Sequence, residues 1–423
     1  MHIQTDRAFV PANTPAVRYL QVVIGAPAQT PAAGVARPPV DVALVLDRSG
    51  SMAGTKIEMA RAAVGYAVRL LKPIDHLAVV CYDDQVTTVL DRTHATPEAR
   101  KLASDRLALI DARGATDLCG GWLRGAELAK RPQPGGAGIS KVMLLTDGLA
   151  NNGVVDHEVL VAKARTLRAD GVATSTFGVG ADFDEDLLSS LATEGGGHFY
   201  FIEKAQQIPD FLASELGETL EVVAREVAFE VACDPGIEAA VLNGWPSEFA
   251  GGVLNVRFGN LVADQEITFI VAVLFKGSHA EGSSLGVRCR VTDQDHVLHP
   301  APIEVTWSAA SAAEDSAQPV NQEVCLAAAT ALAERARSAA LAANRREDFD
   351  AAQRILREVV DDLRAMAPGD PRVLALIDQL HDDEPAFAEM MTPMARKARH
   401  FAAYSASHSR AEGGTARRTK RPR

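Results

Sequence analysis

The stretch that decides the fold is Val42-Ala43-Leu44-Val45-Leu46-Asp47-Arg48-Ser49-Gly50-Ser51-Met52. Its apolar residues run without interruption and end at turn-forming residues, which is typical of a parallel-sheet strand buried on both faces. Directly after this run come one carboxylate and two hydroxyls, on Asp47, Ser49 and Ser51. Open α/β sheets bind ligands at the carboxyl ends of their strands. Because three oxygen donors suit a hard divalent cation, the stretch predicts a cation site on an α/β fold.

The α/β pattern continues from residue 40 to about residue 205. Apolar runs predict further buried strands, with helical spacing of apolar residues between them, at 76–82, 142–146, 173–179 and 198–202. The run 86–90 follows its predecessor across a short polar turn, which indicates an antiparallel hairpin at a sheet edge. Alternating strands and helices predict a doubly wound, mostly parallel sheet with helices on both faces. We assign this unit to residues 38–218.

A different pattern begins near residue 219, where the apolar period changes from helical to two. Alternation at 227–231, 267–275 and 285–291, separated by turns, predicts an antiparallel β-sandwich over residues 219–310. The N-terminal segment 1–37 holds one strand candidate, 19–24, and a linker rich in Pro and Ala. Since a lone strand needs partners, we expect it to join the sandwich.

The C-terminal part is rich in Ala, Arg and Leu, which predicts a helical region over residues 318–405. One apolar helix face is formed by Ala352, Ile355, Leu356, Val359, Leu363 and Met366. Asp370-Pro371 is a typical helix start, with a capping acid and a first-turn proline. Residues 406–423 are rich in Gly, Arg and Lys, so we expect a disordered basic tail there.

Composition narrows the functional class. The 423 residues call for several domains, and 47% apolar with 23% charged residues is typical of a soluble globular protein. The net charge of −12 argues against nucleic-acid binding. Five dispersed cysteines without a C-x-x-C pair fit reduced thiols better than disulfides or zinc. Neither a secretory leader nor a membrane span is predicted, so a cytoplasmic location is expected; a chain trimmed of its leader would look the same.

Two further oxygen donors lie where other loops should meet the same rim of the sheet. Thr116 precedes a predicted helix, and Asp147 follows the strand 142–146. Each has an ordinary alternative: Thr116 could cap the helix after it, or do both, and Asp147 could end an Asp-Gly turn. Together with Asp47, Ser49 and Ser51 they predict a five-residue cation site.

Residues 40 to about 205 resemble a von Willebrand factor type A (VWA) domain. The segment 47–52 matches the Asp-x-Ser-x-Ser signature of that family, Thr116 its isolated threonine, and Thr146-Asp147-Gly148 its second aspartate. The resemblance implies a metal-ion-dependent adhesion site that holds Mg²⁺, with Mn²⁺ or Ca²⁺ as alternatives. The added sandwich and helical region resemble bacterial multi-domain members of the family.

The resemblance also implies roles for the five residues. Ser49, Ser51 and Thr116 would ligate the ion directly, whereas Asp47 and Asp147 would act mostly through water. Hydroxyls and water neutralise little of the ion's charge, and Mg²⁺ with octahedral geometry leaves a position for an incoming ligand. The expected function is therefore a non-enzymatic protein-interaction module that binds an Asp or Glu of a partner protein.

Two other functions stay open at this stage. The chain could be a structural scaffold that acts through the helical region, or a Mg²⁺-dependent hydrolase or phosphotransferase with Asp47 as nucleophile. The enzyme alternative is disfavoured because Arg48 and Ser49 follow Asp47 where the haloacid-dehalogenase-like pattern has an aspartate. No Walker-type phosphate loop is present either.

The remaining polar candidates have simpler explanations. The acidic cluster Asp182, Asp184, Glu185 and Asp186 could form a second cation site, but acids at a helix N-terminus explain it more simply. His157 and His198 lack partners at metal-ligand spacing, and Trp122 is expected in the core.

Overall fold

The computed structural model describes residues 1–28, 37–130 and 138–418. They fall into two compact units. The α/β unit comprises Gln29–Val222 and Pro393–Phe401, and the sandwich unit comprises Met1–Ala28, Val223–Thr392 and Ala402–Arg423. Neither unit is one continuous stretch of chain. Among the described residues, no helix combines the length and the apolar character needed to cross a membrane.

The strands alternate with helices in the first half and follow one another directly in the second. In chain order the strands are β1 (His2–Thr5), β2 (Phe9–Pro11), β3 (Ala16–Gly25), β4 (Val40–Asp47), β5 (His76–Tyr82), β6 (Val86–His94), β7 (Ile139–Thr146), β8 (Val172–Val179), β9 (Gly196–Ile202), β10 (Val222–Cys233), β11 (Ile237–Val241), β12 (Ser247–Ala250), β13 (Val253–Val262), β14 (Glu266–Phe275), β15 (Ser284–Thr292) and β16 (Ile303–Ala310).

The α-helices are α1 (Thr55–Leu70), α2 (Pro97–Leu107), α3 (Leu118–Ala129), α4 (His157–Ala169), α5 (Glu185–Glu194), α6 (Ile208–Leu220), α7 (Ala312–Ala317), α8 (Gln322–Arg345), α9 (Phe349–Met366), α10 (Pro371–Asp383) and α11 (Pro393–Ser407).

A six-stranded sheet in the order β6-β5-β4-β7-β8-β9 forms the centre of the α/β unit. Its strands are parallel except for β6, which runs antiparallel to β5 at one edge. This confirms the predicted doubly wound, mostly parallel sheet flanked by helices, including the antiparallel hairpin at its edge. The central strand β4 is buried along its whole length, as its unbroken apolar run requires.

The cation-site candidates lie where the chain changes direction in the sheet. From β4 the chain proceeds to β5 on one side, and later enters β7 on the other side of β4. The pairing of Leu46 with Leu145 brings the carboxyl ends of β4 and β7 level. Such a switch point opens a crevice between neighbouring loops, which is where α/β sheets bind ligands.

Two glycines let helix α3 approach the sheet closely. A Cβ on Gly125 would lie 2.2 Å from Cγ2 of Val45, and one on Gly121 would lie 2.4 Å from the ring of Tyr82. Between them Trp122 is fully buried and donates from Nε1 to Oγ1 of Thr174 at 3.1 Å. The expected core role of Trp122 is therefore confirmed, and α3 is fixed against the strands beside the predicted site.

The sandwich unit contains two sheets, in the orders β1-β3-β14-β11 and β12-β13-β10-β15-β16-β2. Strand β3, which includes the predicted strand 19–24, pairs antiparallel with β14 along its full length. The two inner faces form one core in which Phe229 contacts Phe269 edge to face, with ring centroids 5.1 Å apart. The short strands β1 and β2 were not anticipated, because the segments 2–5 and 9–11 lack a distinct apolar alternation.

Helices α8, α9 and α10 share a second hydrophobic core in this unit. Asp370 caps α10, as predicted, by accepting a hydrogen bond from the backbone N of Arg372 at 2.8 Å. One difference concerns α11, whose first part, 393–401, belongs to the α/β unit and not to the predicted helical region 318–405.

The expected disorder of 406–423 is wrong for the described part of that tail. Arg410 is buried, Ser409 Oγ donates to the carbonyl of Thr268 at 2.5 Å, and the carbonyl of Arg417 accepts from Glu266 N at 2.9 Å. These backbone and hydroxyl contacts with β14 cannot be inferred from a polar composition. Residues 419–423 of the tail, and 29–36 of the predicted linker, lie outside the described residues.

Candidate metal centre

The first loop of the candidate site begins at Asp47, the last residue of β4. Its side chain is buried, and both carboxylate oxygens accept hydrogen bonds. Oδ1 accepts from the backbone N of Ser49 at 2.7 Å, and Oδ2 accepts from Oγ1 of Thr146 at 2.6 Å. Since Thr146 ends β7, Asp47 joins the tips of the two central strands.

A chain of hydroxyls connects this loop to Asp147. The Oγ atoms of Ser49 and Ser51 lie 3.1 Å apart, and Ser51 Oγ donates to Oδ1 of Asp147 at 2.7 Å. The Asp147 side chain is completely buried. Four of the five predicted residues are thus linked by direct or bridging hydrogen bonds.

Thr116 completes the group from a second loop. Its Oγ1 lies 3.8 Å from the ideal Cβ position on Gly148, and Ser51 Oγ lies 3.6 Å from the same point. Its backbone N donates to Oδ1 of Asn151 at 2.8 Å, which fixes the residue against the loop after β7. The alternative in which Thr116 caps α3 is wrong, because Asp117 is the cap and accepts from Gly120 N at 2.9 Å.

A buried acid braces the first two loops. Oδ2 of Asp83 lies 3.0 Å from Nε of Arg48 and accepts from Nε of Arg113 at 2.7 Å. Burial alone would raise the pKa of Asp83, but these cations and a hydrogen bond from Gln85 N outweigh it and lower the pKa. The chain is also tight here, because a Cβ on Gly114, at φ +69°, would lie 2.1 Å from Oδ1 of Asp84.

The candidate site contains two buried carboxylates, on Asp47 and Asp147, and these are not matched, within the described part of the chain, by an equal number of cationic side chains. Burial, together with the negative charge of Asp147, raises the pKa of Asp47 to about 6, although hydrogen bonds from Ser49 and Thr146 oppose the rise. Among the described residues, one cationic side chain contacts the five predicted site residues. Nζ of Lys56 lies 2.5 Å from Oδ2 of Asp147.

The donor set fits a hard divalent cation. It offers hydroxyl and carboxylate oxygens and no nitrogen or sulfur, which suits Mg²⁺, Mn²⁺ or Ca²⁺ better than a structural zinc ion. Two carboxylates and one ammonium leave a net charge of about −1, so a cation would be attracted without being fully neutralised.

A second cluster, His198, Glu215 and Glu218, also has metal-ligand geometry, with ligand atoms within 4.8 Å of one another. It lies toward the amino ends of the strands, away from Asp47. Glu215 already contacts the ammonium of Lys141 and accepts hydrogen bonds from Ser175 Oγ and Tyr200 OH, both at 2.6 Å. Because a lysine supplies the positive charge, this cluster is a structural ion-pair network that secures α6 to the sheet.

The acidic cluster at 182–186 is likewise explained by its contacts. Asp184 caps α5, and its Oδ2 lies 3.0 Å from Nε2 of His157. Glu185 is buried against two cations of α11, with Nε of Arg396 at 2.5 Å and Nζ of Lys397 at 2.7 Å. The simpler interpretation, helix N-terminal acids, therefore fits better than a second cation site.

Comparison with known families identifies this fold. A family model described as the von Willebrand factor type A domain matches residues 41–214. Residues 41–214 are a von Willebrand factor type A domain. The VWA domain covers most of the α/β unit and contains all five predicted site residues, so the family predicted from the motif at 47–52 is confirmed.

Two solved structures share the fold over nearly the whole chain. A von Willebrand factor type A protein from Catenulispora acidiphila covers 98% of this chain and 97% of its own, with a TM-score of 0.69 and 16% identity. The ArnB paralogue VWA2 from Sulfolobus acidocaldarius covers 96% and 97%, with a TM-score of 0.58 and 15% identity. The VWA domain is therefore found elsewhere together with similar additional β and helical parts.

Relatives by sequence match part of this chain. YfbK of Escherichia coli K12 is 28% identical over 203 residues, which is 47% of this chain and 34% of that protein. This chain thus spans about a third of that relative's length.

Three contributors to the centre escaped the sequence analysis as individual residues: Lys56, Asn151 and the hydroxyl of Thr146. A sequence signal existed for Lys56, because a lysine in the first turn of a helix opposes the helix dipole and suggests a local partner. Asn151 offers no such signal, since Asn is common in loops.

Proposed function

We propose that the VWA domain is a metal-dependent protein-interaction module that binds a carboxylate of a partner protein. The cation would be held by Asp47, Ser49, Ser51, Thr116 and Asp147. One observation carries the proposal: hydroxyls and carboxylates from three separate loops converge at the switch point, with Ser51 joined to both Ser49 and Asp147.

The chemistry of the donors explains why the partner should be acidic. A bound divalent ion supplies an electrophilic point charge with a position open to a further ligand. Hydroxyls add no negative charge, so the ion keeps attraction for an Asp or Glu carboxylate. Specificity would then come from the surface around the ion, as is usual where charge complementarity guides association.

The hydrolase alternative gains no support. As nucleophile, Asp47 would need an accessible oxygen, but it is buried and both oxygens accept hydrogen bonds. A lysine that could assist phosphoryl chemistry, Lys141, contacts Glu215 in the network away from the centre. These observations favour binding over covalent chemistry at Asp47.

The test uses the full chain and two readouts. Calorimetric titration with Mn²⁺ should show one site in the wild type, and none in the Asp47→Ala and Thr116→Ala variants. Immobilised peptides that differ only in a central Asp, Glu, Asn or Gln should retain the wild type through Asp and Glu in Mg²⁺, and release it in EDTA. Absence of Mn²⁺ binding, or retention that survives EDTA, would contradict the proposal.

A further inference from the structure

Lys56 is a cation built into the candidate metal centre. Its ammonium lies 2.5 Å from Oδ2 of Asp147, whose other oxygen accepts from Ser51. The Asp147 side chain is fully buried, whereas Lys56 keeps 28% of its side chain exposed. The lysine therefore approaches the site from its solvent side and contacts the one carboxylate oxygen that Ser51 leaves free.

The position of Lys56 at the start of a helix is electrostatically unfavourable, and its contact with Asp147 offsets this cost. It is the second residue of α1, where the helix dipole repels a positive charge. The loop after β8 lies beside its side chain, because the ideal Cβ position on Gly180 is 3.8 Å from both Cε and Nζ. Gly180 has φ +78°, so a residue with a side chain would be strained there.

We propose that Lys56 is a tethered countercharge that weakens cation binding and strengthens the subsequent binding of the partner's carboxylate. This inference rests on the proposed function, since it concerns the same ion and the same ligand. Lys56 would thus set both the affinity of the site for the cation and the affinity of the bound cation for the partner's carboxylate.

The argument follows from charge counting over Asp47, Asp147 and Lys56. Without an ion the three side chains sum to −1, with a divalent ion to +1, and with one added carboxylate to zero. Without the lysine, the same states sum to −2, zero and −1. Loss of Lys56 therefore makes the ion-loaded state neutral and leaves no net attraction for an anionic partner.

A purely structural role for Lys56 predicts a different pattern. If the ammonium only held Asp147 in place, its loss would loosen the centre and weaken both cation and carboxylate binding. A countercharge instead changes the two affinities in opposite directions. Changes of opposite sign in cation and carboxylate affinity therefore indicate a countercharge, and changes of the same sign indicate a structural role. This distinction does not depend on the stability of the variant.

The experiment compares three full-length variants with the wild type. Lys56→Met removes the charge, Lys56→Arg retains it, and Lys72→Met removes an exposed charge beyond the far end of the same helix, about 24 Å away at 1.5 Å per residue. Thermal unfolding in EDTA checks that each variant folds. Mn²⁺ affinity is measured by calorimetry, and affinity for the Asp-containing peptide is measured at saturating Mn²⁺.

For Lys56→Met we expect Mn²⁺ binding about tenfold tighter and peptide binding about tenfold weaker, from one unit charge near a divalent ion. Lys56→Arg should stay within about twofold of wild type in both, and Lys72→Met should be unchanged because its charge is screened. The Lys56→Met effects should shrink as NaCl is added.

Each failure has its own meaning. Weakening of both affinities, or no change in either, in a wild-type protein that binds Mn²⁺ overturns the role of Lys56 alone. A wild type that binds no Mn²⁺ overturns the proposed function and this inference together.

Discussion

Ser51 Oγ donates a hydrogen bond of 2.7 Å to Oδ1 of Asp147, a residue 96 positions further along the chain. The bond joins the loop after β4 to the end of β7, so the protein itself holds two of the three candidate loops together. A cation added there meets donors that are already assembled, and the ordering entropy of the loops has been lost on folding.

Removal of the Thr116 hydroxyl should abolish cation binding while leaving stability nearly unchanged. Thr116 is fixed by backbone hydrogen bonds to the loop after β7, and these survive the Thr116→Ala substitution. We expect Mn²⁺ affinity to fall about a hundredfold, below detection by calorimetry, and the free energy of unfolding to change by less than about 1 kcal/mol. Calorimetry and urea unfolding measure the two effects.

Thr176→Ala is the matched control for that experiment. Thr176 is buried in β8, and its hydroxyl donates to the carbonyl of Leu188 at 2.7 Å. Its loss should cost about 1–2 kcal/mol of stability and leave Mn²⁺ affinity intact. A Thr116→Ala protein that is destabilised more than Thr176→Ala would show that Thr116 is mainly structural.

Two glycine-to-alanine substitutions should have opposite effects on stability. In Gly121→Ala the new Cβ meets the ring of Tyr82 at 2.4 Å, so overpacking should destabilise the α/β unit by about 1–3 kcal/mol. In Gly65→Ala, within α1, the nearest atom is Ser104 Oγ at 3.9 Å. That variant should be more stable by up to about 1 kcal/mol, because alanine favours a helix. Hydrogen exchange of the β4 amides checks both.

The Glu185 ion pairs should make the α/β unit sensitive to acid. Burial alone would raise the pKa of Glu185, but hydrogen bonds from Arg396 and Lys397 and the charge of Lys397 lower it to about 2, from 4.5. A lowered pKa stabilises the folded state above pH 4.5, and this stabilisation is lost as the pH falls from 4.5 to about 2. Glu185→Gln should therefore cost at most about 3 kcal/mol at pH 7 and progressively less below pH 4.5.

Urea unfolding of wild type and variant across this pH range tests the Glu185 prediction. Glu194→Gln is the control, since its partner Arg165 is 58% exposed and the pair should contribute less than about 1 kcal/mol at any pH. A wild-type advantage that stays constant down to pH 2 would contradict the assignment.

The five cysteines should react slowly with thiol reagents in the folded protein. All five are free, and burial raises the pKa of Cys81 and Cys289 to about 12. Cys233 is half-buried and should react first, although burial raises its pKa to about 11. Ellman's reagent at pH 8 should titrate all five only after unfolding; rapid modification of Cys81 in the native protein would argue against the buried position.

The features that sequence predicted well depend on local patterns. The unbroken apolar run of β4 and the oxygens after it followed from residues 42–52 alone, and the family resemblance rested on the same motif. The helices between the strands β4 and β9 followed from apolar spacing, because each buries one face against the sheet, whereas α6 was not predicted. For Thr116, the sequence left a helix-capping role open, and the structure assigns that role to the neighbouring Asp117.

The features that escaped prediction depend on contacts between distant segments. The salt bridge from Lys56 to Asp147 joins residues far apart in sequence. The same holds for Lys397, which donates to the carbonyl of Phe183 at 2.7 Å. The sequence does not indicate that Lys56 or Lys397 is paired, since a single charged residue in a helix is usually exposed to solvent. The tail contacts of Ser409 and Arg417 with β14 were hidden for the same reason.

The docking of residues 393–401 onto the α/β unit has a consequence for protein synthesis. Glu185 receives its two cations, and Phe199 its edge-to-face contact with Phe401, only from this late segment. A nascent chain on the ribosome therefore cannot complete the interior of the unit until residues 393–401 have been translated. A premature stop codon before Pro393 would leave a buried carboxylate without its counterions and an aromatic surface open to aggregation.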